Sequence, residues 1–233
     1  MSAIGRARET LGHPLLLAHR GAHTEAICEN SLDALVAGAA QCDGVEFDVR
    51  FSADGTAVIV HDETLDRLFS LSRHVRELTS SELMEIGVPT LASALAAMPV
   101  LTLIDLELKE SPTDDLFATL RAARGPEAQG VVISSFDPAI LCAVEERAPD
   151  WARWLNAETF EAAERAIGLS CSGVSVSIDL LSDEHIDRWV ANGLEVAGWT
   201  IRDRTGANFA GDARLVALCV EGDGIPAAET SAL

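Results

Sequence analysis

Short apolar segments alternate with longer segments of helical periodicity along almost the whole chain, and this alternation is the strongest constraint on the fold. The first apolar segment, LLLAH, covers residues 15–19 and is followed by the helical pattern of NSLDALVAGAAQ. The alternation continues to LVALCV at residues 215–220. Strands that are separated by helices predict a parallel sheet with helices packed on its outer face.

Eight strand segments of this kind can be counted. They are LLLAH (15–19), GVEFDVR (44–50), VLTLIDLELK (100–109), GVVISSF (130–136), RWLNA (153–157), GVSVSI (173–178), LEVAGWTI (194–201) and LVALCV (215–220). AVIVH (57–61) follows the second segment through the turn sequence ADGT, so it is interpreted as a hairpin partner or an extension of that strand. Eight strand and helix units predict a single-domain (β/α)8 TIM barrel over residues 1–233.

A doubly wound open sheet is the alternative to the barrel. That fold often carries a glycine-rich GxGxxG turn after the first strand, and this sequence has no such turn there. Two stretches do not fit the simple alternation. Residues 66–88 are interpreted as an excursion between the second strand and its helix, and residues 205–213 as helical or irregular.

The composition is that of an ordinary globular protein. The 233 residues are 48% hydrophobic and 23% charged, which is enough apolar material for one substantial core. No apolar run approaches the length of a membrane span, and the first residues lack the apolar centre of a secretory signal. We therefore expect a cytoplasmic protein with no stable membrane insertion.

The formal net charge of −20 restricts the possible partners. So large a negative charge repels nucleic acids and anionic membranes, and an anionic substrate would need a local positive site. The five cysteines are scattered without a CxxC spacing, so they are interpreted as reduced packing residues. The expected partner is a small molecule.

Ionisable residues cluster at or near the carboxyl ends of the first strands, where the active site of a barrel is built. Glu46 and Asp48 are two residues apart and therefore point to the same side of their strand. Glu107 lies near the end of the next barrel strand. Three carboxylates facing one place suit a hard divalent cation such as Mg²⁺ or Ca²⁺.

Basic residues and histidines occupy the same strand ends. Arg20 and Lys109 supply the fixed positive charge that a phosphate group needs. His19 and His61 each end an apolar strand, and together they could supply the proton donor and the proton acceptor for phosphodiester cleavage. The alternative is a purely structural network in which Arg20 and Lys109 neutralise the carboxylates.

These residues lie in segments that resemble the glycerophosphodiester phosphodiesterase family. The resemblance is carried by LLLAHRGA, the pair Glu29 and Asn30, VEFDV, DGTAVIVHDETLDR and LELK, and continues more loosely through PTLASAL, VVISSFD and VAGWTI. It implies a (β/α)8 barrel and hydrolysis of glycerophosphodiesters to glycerol 3-phosphate and an alcohol.

The resemblance also implies roles for individual residues. Glu46, Asp48 and Glu107 would be metal ligands, His19 and His61 the acid and base, and Arg20 and Lys109 the phosphate-binding residues. Phe136 and Trp199 lie at the ends of predicted strands and could form an apolar wall for the glycerol or the alcohol group, which the family's WT pair supports for Trp199; packing in the core or at the rim is the alternative. We favour His19 as the acid and His61 as the base.

The chain departs from the family pattern in three places. Residues 62–88 leave room only for a short or reduced insertion after the second strand. AHTEAIC precedes Glu29 and Asn30, and its His23 is interpreted as a solvated loop residue. Glu221 in CVEGDGIP takes the place of an aspartate that many members carry near the last strand.

Two other functions stay open at this point. One is a lysophospholipase D type reaction on the same barrel, and the other is a non-catalytic phosphate-binding barrel. A binding module would be expected to have lost a metal ligand or a histidine, and all five of those residues are present here.

Overall fold

Eight parallel strands close into a barrel in the computed structural model, which describes residues 1–203, 209 and 211–226. The barrel strands are β1 (Leu15–His19), β2 (Gly44–Phe51), β6 (Leu103–Leu108), β7 (Val131–Ser135), β8 (Ala152–Ala157), β9 (Gly173–Ser177), β10 (Glu195–Ile201) and β11 (Leu215–Val220). Three further strands lie outside the ring: β3 (Ala57–Ile59), β4 (Thr64–Leu65) and β5 (Leu71–His74). Each of the eight predicted segments therefore contributes one barrel strand.

The ring closes because β1 pairs on both of its sides. Ala18 is in register with Val45 of β2 and with Val220 of β11, and both pairings are parallel. The doubly wound alternative is wrong, since an open sheet leaves its edge strands unpaired. β3 pairs antiparallel with β2, as expected for a hairpin.

The helices lie between the strands and cover the outside of the barrel. They are α1 (Ala3–Leu11), α2 (Leu32–Gln41), α3 (Asp66–Phe69), α4 (Ser80–Glu85), α5 (Leu91–Ala97), α6 (Asp114–Arg124), α7 (Pro138–Arg147), α8 (Phe160–Ala163), α9 (Arg165–Gly168) and α10 (Asp183–Ala191). Their starts follow local capping rules: Asp137 caps α7 ahead of Pro138, and Thr79 forms a capping box with Glu82 at α4. None of the described helices is both long and apolar enough to cross a membrane.

The faces of β2 show how the strand pattern builds the core. Val45, Phe47 and Val49 are fully buried in the cluster that joins the strands to the surrounding helices. The intervening Glu46 and Asp48 point into the barrel. This alternation is the one expected from the period-two spacing of a strand.

The amino-terminal end of the barrel is closed by α1, a helix that the sequence analysis did not predict. Ile4 is fully buried against Leu15, Leu17 and Trp154. Glu195, the first residue of β10, accepts hydrogen bonds from the Ser2 amide at 2.6 Å and the Trp154 indole at 3.0 Å. Apolar packing around Ile4 and the hydrogen bonds of the buried Glu195 therefore seal the lower end of the barrel interior.

The excursion after β3 is a small separate layer. It contains the β4–β5 hairpin, α3 and α4, and its apolar side chains form a cluster with Val58 and Val60 at the end of β3. This fits the short insertion expected at residues 62–88.

Most strand bounds agree with the sequence prediction within two residues, and two elements differ by more. The strand predicted from residue 100 begins only at Leu103, because residues 99–102 form a turn in which the Thr102 amide bonds the Pro99 carbonyl. The helix predicted from ETFEAAERAIG is two short helices, α8 and α9, separated at Glu164. The stretch predicted at residues 205–213 lies largely outside the described residues.

Candidate active site

A cavity of about 240 Å³ opens at the carboxyl ends of the barrel strands. The sequence-predicted residues that line it are His19, Arg20, Glu46, His61, Glu107, Lys109, Phe136 and Trp199. Asp48 lies directly behind this surface, bonded to Lys109. The structure thus brings all nine predicted site residues to one place.

Three buried carboxylates form the floor of one side of the cavity. Glu46 and Asp48 are neighbours on β2, and Asp48 is in register with Glu107 on β6. One oxygen from each lies within 4.8 Å of an oxygen of the other two, and their residues are only 1–8% exposed. Buried oxygen donors at this separation fit a hard divalent cation.

Burial makes the charge on this cluster costly. Burial and the neighbouring charges of Asp48 and Glu107 raise the pKa of Glu46 well above its usual value. Burial and Asp48 raise the pKa of Glu107 to about 7. Burial would also raise the pKa of Asp48, but Lys109 and Arg20 outweigh it and lower that pKa. The cluster therefore favours a positive ion beside it.

Lys109 and Arg20 already neutralise part of the negative charge of the cluster. Lys109 Nζ lies 2.9 Å from Asp48 Oδ1 and also pairs with Glu107. Arg20 Nε lies 3.2 Å from Asp48 Oδ2, and its backbone amide donates to Glu46 at 2.9 Å. Both cations remain on the cavity wall, where an anionic group can reach them.

His19 is held by a residue from the opposite end of the chain. Its Nδ1 lies 2.5 Å from Glu221 Oε2, while its Nε2 lies 3.9 Å from Glu46. Glu221 also accepts a 2.5 Å hydrogen bond from Arg202. The hydrogen bond from His19 lowers the pKa of Glu221, so the carboxylate is ionised and His19 Nδ1–H donates to it.

His23 differs from its interpretation as a solvated loop residue. Its side chain is 27% exposed and its Nε2 lies 3.8 Å from Glu221. Glu221 does occupy the place suggested for it beside the site. His23 therefore lies beside Glu221, although residues 24–26, which follow it, are exposed.

His61 is held in the same way as His19. Its Nδ1 donates to Asp62 at 2.7 Å, and Asp62 in turn accepts from Arg67 at 2.6 Å. Burial would raise the pKa of Asp62, but hydrogen bonds from Arg67 and His61 lower it to about 2. Burial lowers the pKa of His61 despite the nearby charge of Asp48. The imidazole of His61 is therefore neutral at neutral pH.

Asn30 is a site residue to which the sequence analysis assigned no role. Its Nδ2 donates to Asp48 Oδ2 at 2.8 Å, and its Oδ1 accepts from the Asp48 amide at 3.3 Å. Its neighbour Glu29 pairs with Arg20 and Arg67. The only signal in the sequence was their presence as a pair in a family-like segment.

Phe136 and Trp199 form an aromatic wall on the other side. Phe136 follows β7 and Trp199 lies in β10, and their ring centroids are 5.6 Å apart in an edge-on arrangement. Phe136 is 43% exposed. Glu158, which follows β8, also lines the cavity and was not singled out in the sequence.

Comparisons with known proteins agree with this geometry. A sequence profile of the Glycerophosphoryl diester phosphodiesterase family matches residues 19–222. A phosphodiesterase from Oleispira antarctica, solved in complex with the product sn-glycerol-3-phosphate, is 25% identical; the match covers 94% of this chain and 95% of that chain with a TM-score of 0.78. A glycerophosphodiester phosphodiesterase from Thermotoga maritima is also 25% identical, over 89% of this chain and 94% of that chain, with a TM-score of 0.74.

The curated relatives match over shorter stretches. A probable glycerophosphodiester phosphodiesterase 1 of Mycobacterium tuberculosis is 43% identical over 76 residues, which is 32% of this chain and 27% of the relative. Glycerophosphodiester phosphodiesterase 1 of Bos taurus is 23% identical over 79% of this chain and 71% of that protein. The profile match extends over most of the chain, and it includes every site residue described above. The chain therefore belongs to the glycerophosphoryl diester phosphodiesterase family.

Proposed function

We propose that this protein hydrolyses glycerophosphodiesters to sn-glycerol 3-phosphate and an alcohol, with a divalent cation and two histidines. The observation that carries the proposal is the convergence of three groups on one cavity. These are the carboxylates Glu46, Asp48 and Glu107, the cations Arg20 and Lys109, and two histidines with their Nδ1 atoms held by carboxylates.

The carboxylates would hold one Mg²⁺ or Ca²⁺. Three buried carboxylates whose oxygens converge on one place are the donor set that such ions match. When bound, the ion supplies Lewis-acid polarisation of a phosphoryl oxygen and a template for the substrate. Arg20 and Lys109 bind the phosphate oxygens and stabilise the charge that develops on them.

The two histidines divide the proton transfers. His61 is neutral and removes a proton from the nucleophile, which is either water or the neighbouring glycerol hydroxyl. His19 donates a proton to the oxygen of the leaving alcohol. Glu221 and Asp62 fix Nδ1 of each ring, so that both Nε2 atoms are free for the reaction.

The cavity wall would recognise the remaining parts of the substrate. Phe136 and Trp199 lie on the side opposite the carboxylates and would pack against the glycerol or the alcohol. The organisation as a single domain over residues 1–233, a cytoplasmic location and the absence of nucleic-acid partners or stable membrane insertion stay predictions from the sequence.

The test measures glycerol 3-phosphate release from glycerophosphocholine and glycerophosphoethanolamine by the purified protein. EDTA should abolish the reaction, and Mg²⁺ or Ca²⁺ should restore it. His19→Ala and Glu46→Ala should each lower the rate by about 10²- to 10⁴-fold. His13→Ala is the matched control, since His13 is exposed and outside the cavity.

Absence of glycerol 3-phosphate with every cation, from protein shown to be folded, would reject this substrate class. Release of a headgroup from lysophospholipids alone would indicate the lysophospholipase D reaction. Binding of glycerophosphodiesters without turnover would indicate a phosphate-binding barrel.

A further inference from the structure

The outer part of the cavity combines aromatic rings with an exposed carboxylate. Phe136 and Glu158 follow β7 and β8, two strands paired side by side, and Trp199 faces Phe136 from β10. All three residues line the same cavity as the histidines. They lie around its rim, whereas the carboxylate cluster lies at its floor.

The aromatic pair presents a surface suited to a cation. The ring of Phe136 is 43% exposed and meets Trp199 edge-on at 5.6 Å. Lys109 Nζ already lies 5.9 Å from the centroid of the Phe136 ring. The faces of such rings carry negative charge density and attract ammonium groups, most strongly where water is excluded.

Glu158 gives this rim an uncompensated negative charge. The other carboxylates that line the described cavity wall, Glu46, Asp105 and Glu107, are buried. Lys109 and Arg20 lie among those buried groups. Glu158 is exposed, and the ion pairs of the described residues do not include it. Its charge is therefore free to act on a bound molecule.

We infer that this rim binds the alcohol part of the substrate when that alcohol carries a positive charge, above all a quaternary ammonium group. The inference rests on the proposed function and specifies its substrate class. With the phosphodiester bound between Arg20, Lys109 and the histidines, as proposed above, the alcohol would extend outward to the rim.

A quaternary ammonium group matches the chemistry of these three side chains. Its methyl groups cannot donate conventional hydrogen bonds, and aromatic faces with a nearby carboxylate are the environment that recognises it. A neutral polyol can hydrogen-bond to polar groups of the cavity such as Trp199 Nε1, but it gains no cation–π contact with Phe136 and no charge attraction to Glu158. The protein should therefore distinguish alcohols by charge.

The experiment compares kcat/KM for glycerophosphocholine and glycerophosphoglycerol, which share the phosphodiester and differ in the charge of the alcohol. Wild-type protein should prefer the choline ester by about tenfold or more. Glu158→Gln should lower this preference by about three- to tenfold. Phe136→Leu should lower it in the same direction.

Glu161→Gln is the matched control. Glu161 is an exposed residue of α8, three positions beyond Glu158, and it does not line the cavity. Both substitutions remove one negative charge from a chain of net charge −20, so any effect of overall charge is the same in both. The substrate preference of Glu161→Gln should equal that of wild-type protein.

The outcomes separate the two proposals. Turnover of both substrates with the same ratio in wild-type, Glu158→Gln and Glu161→Gln protein would overturn the rim assignment and leave the phosphodiesterase function intact. The rim assignment would also be overturned if Glu161→Gln changed the ratio as much as Glu158→Gln. Failure of the wild-type protein to release glycerol 3-phosphate from either ester would overturn the function itself.

Discussion

His19 and His61 are positioned by the same device, although their carboxylate partners differ in origin. Asp62 is the residue next to His61, whereas Glu221 lies 202 positions from His19. In each case the carboxylate accepts a hydrogen bond from Nδ1, and Nε2 faces the cavity. The orientation of both rings therefore depends on ionised neighbours as well as on the strands that carry them.

Glu221→Gln should reduce catalysis through the loss of this orientation. An amide can accept the same hydrogen bond but does not stabilise a charged imidazole, so we expect kcat to fall by about tenfold to a thousandfold. The pH–rate profile should shift as well, which a purely structural role would not produce. Asp223→Asn, at an exposed position two residues away, should leave both unchanged.

Cation binding should depend on pH through Glu107. Burial and Asp48 raise its pKa to about 7, and a cation binds only the deprotonated carboxylate. Cation affinity should therefore weaken as pH falls through about 7, and protonation of Glu46, whose pKa burial also raises, acts in the same direction. Titration calorimetry with Ca²⁺ across this range would check the slope, and an affinity independent of pH would contradict the assignment.

The same carboxyl has the opposite effect on the stability of the cation-free protein. Its pKa is raised from 4.5, the usual value that applies to the unfolded chain, to about 7 in the folded protein. The folded protein therefore binds more protons than the unfolded chain between these two pH values. The free energy of unfolding should therefore fall as pH rises through this window. Added cation should cancel the decrease, which denaturant unfolding at several pH values would show.

At the scale of elements, the site depends on how closely its strands approach. Gly44 begins β2 and is in register with Leu17 of β1 and Leu103 of β6. A Cβ at this position would contact the Leu103 carbonyl oxygen and would lie 2.9 Å from Leu17 Cδ2. The two strands that flank β2 leave space only for a glycine there.

Gly44→Ala should separate β2 from β6 and lower the free energy of unfolding by about 1–3 kcal/mol. Because Asp48 and Glu107 lie on these strands, cation affinity should fall as well. Gly168→Ala is the control, since an added Cβ there meets no atom within 4 Å. Urea titration of both variants measures the change. Gly168→Ala should be neutral or slightly stabilising.

At the scale of the whole molecule, one end of the barrel carries the candidate active site and the other end is closed by packing. The carboxyl end carries the polar cavity, and α1 seals the amino-terminal end with Ile4. Their separation implies that the seal can be weakened without changing the chemistry. Substitutions in the contacts of α1 should therefore change stability without changing catalysis.

Ile4→Ala should lower the free energy of unfolding by about 2–5 kcal/mol because Ile4 is fully buried. The kcat/KM of the protein that remains folded should stay within about twofold of wild type. Leu11→Ala, at a 51% exposed position of the same helix, should change stability by no more than about 0.5 kcal/mol. A large loss of kcat/KM in Ile4→Ala at a temperature where it is folded would contradict the separation.

Much of the barrel could be predicted because its signals are local. The β1 segment was predicted at its observed bounds, since an apolar run between a proline and a charged pair has few other structures. The helix α1 was missed, although Ser2 and Gly12 cap it, because its apolar residues are few and meet their partners only across the barrel. The pairing of Glu221 with His19 was not predicted, since no local pattern connects residues so far apart.

The sequence by itself determined the strands, the helices between them and the side of β2 on which Glu46 and Asp48 lie. These properties follow from the spacing of apolar residues, which acts over a few positions. Only the tertiary structure decided that β1 pairs with β11, that Lys109 lies between Asp48 and Glu107, and that Glu221 holds His19. Those contacts depend on the closure and register of the whole barrel, and the burial that raises the pKa of Glu107 exists only after that closure.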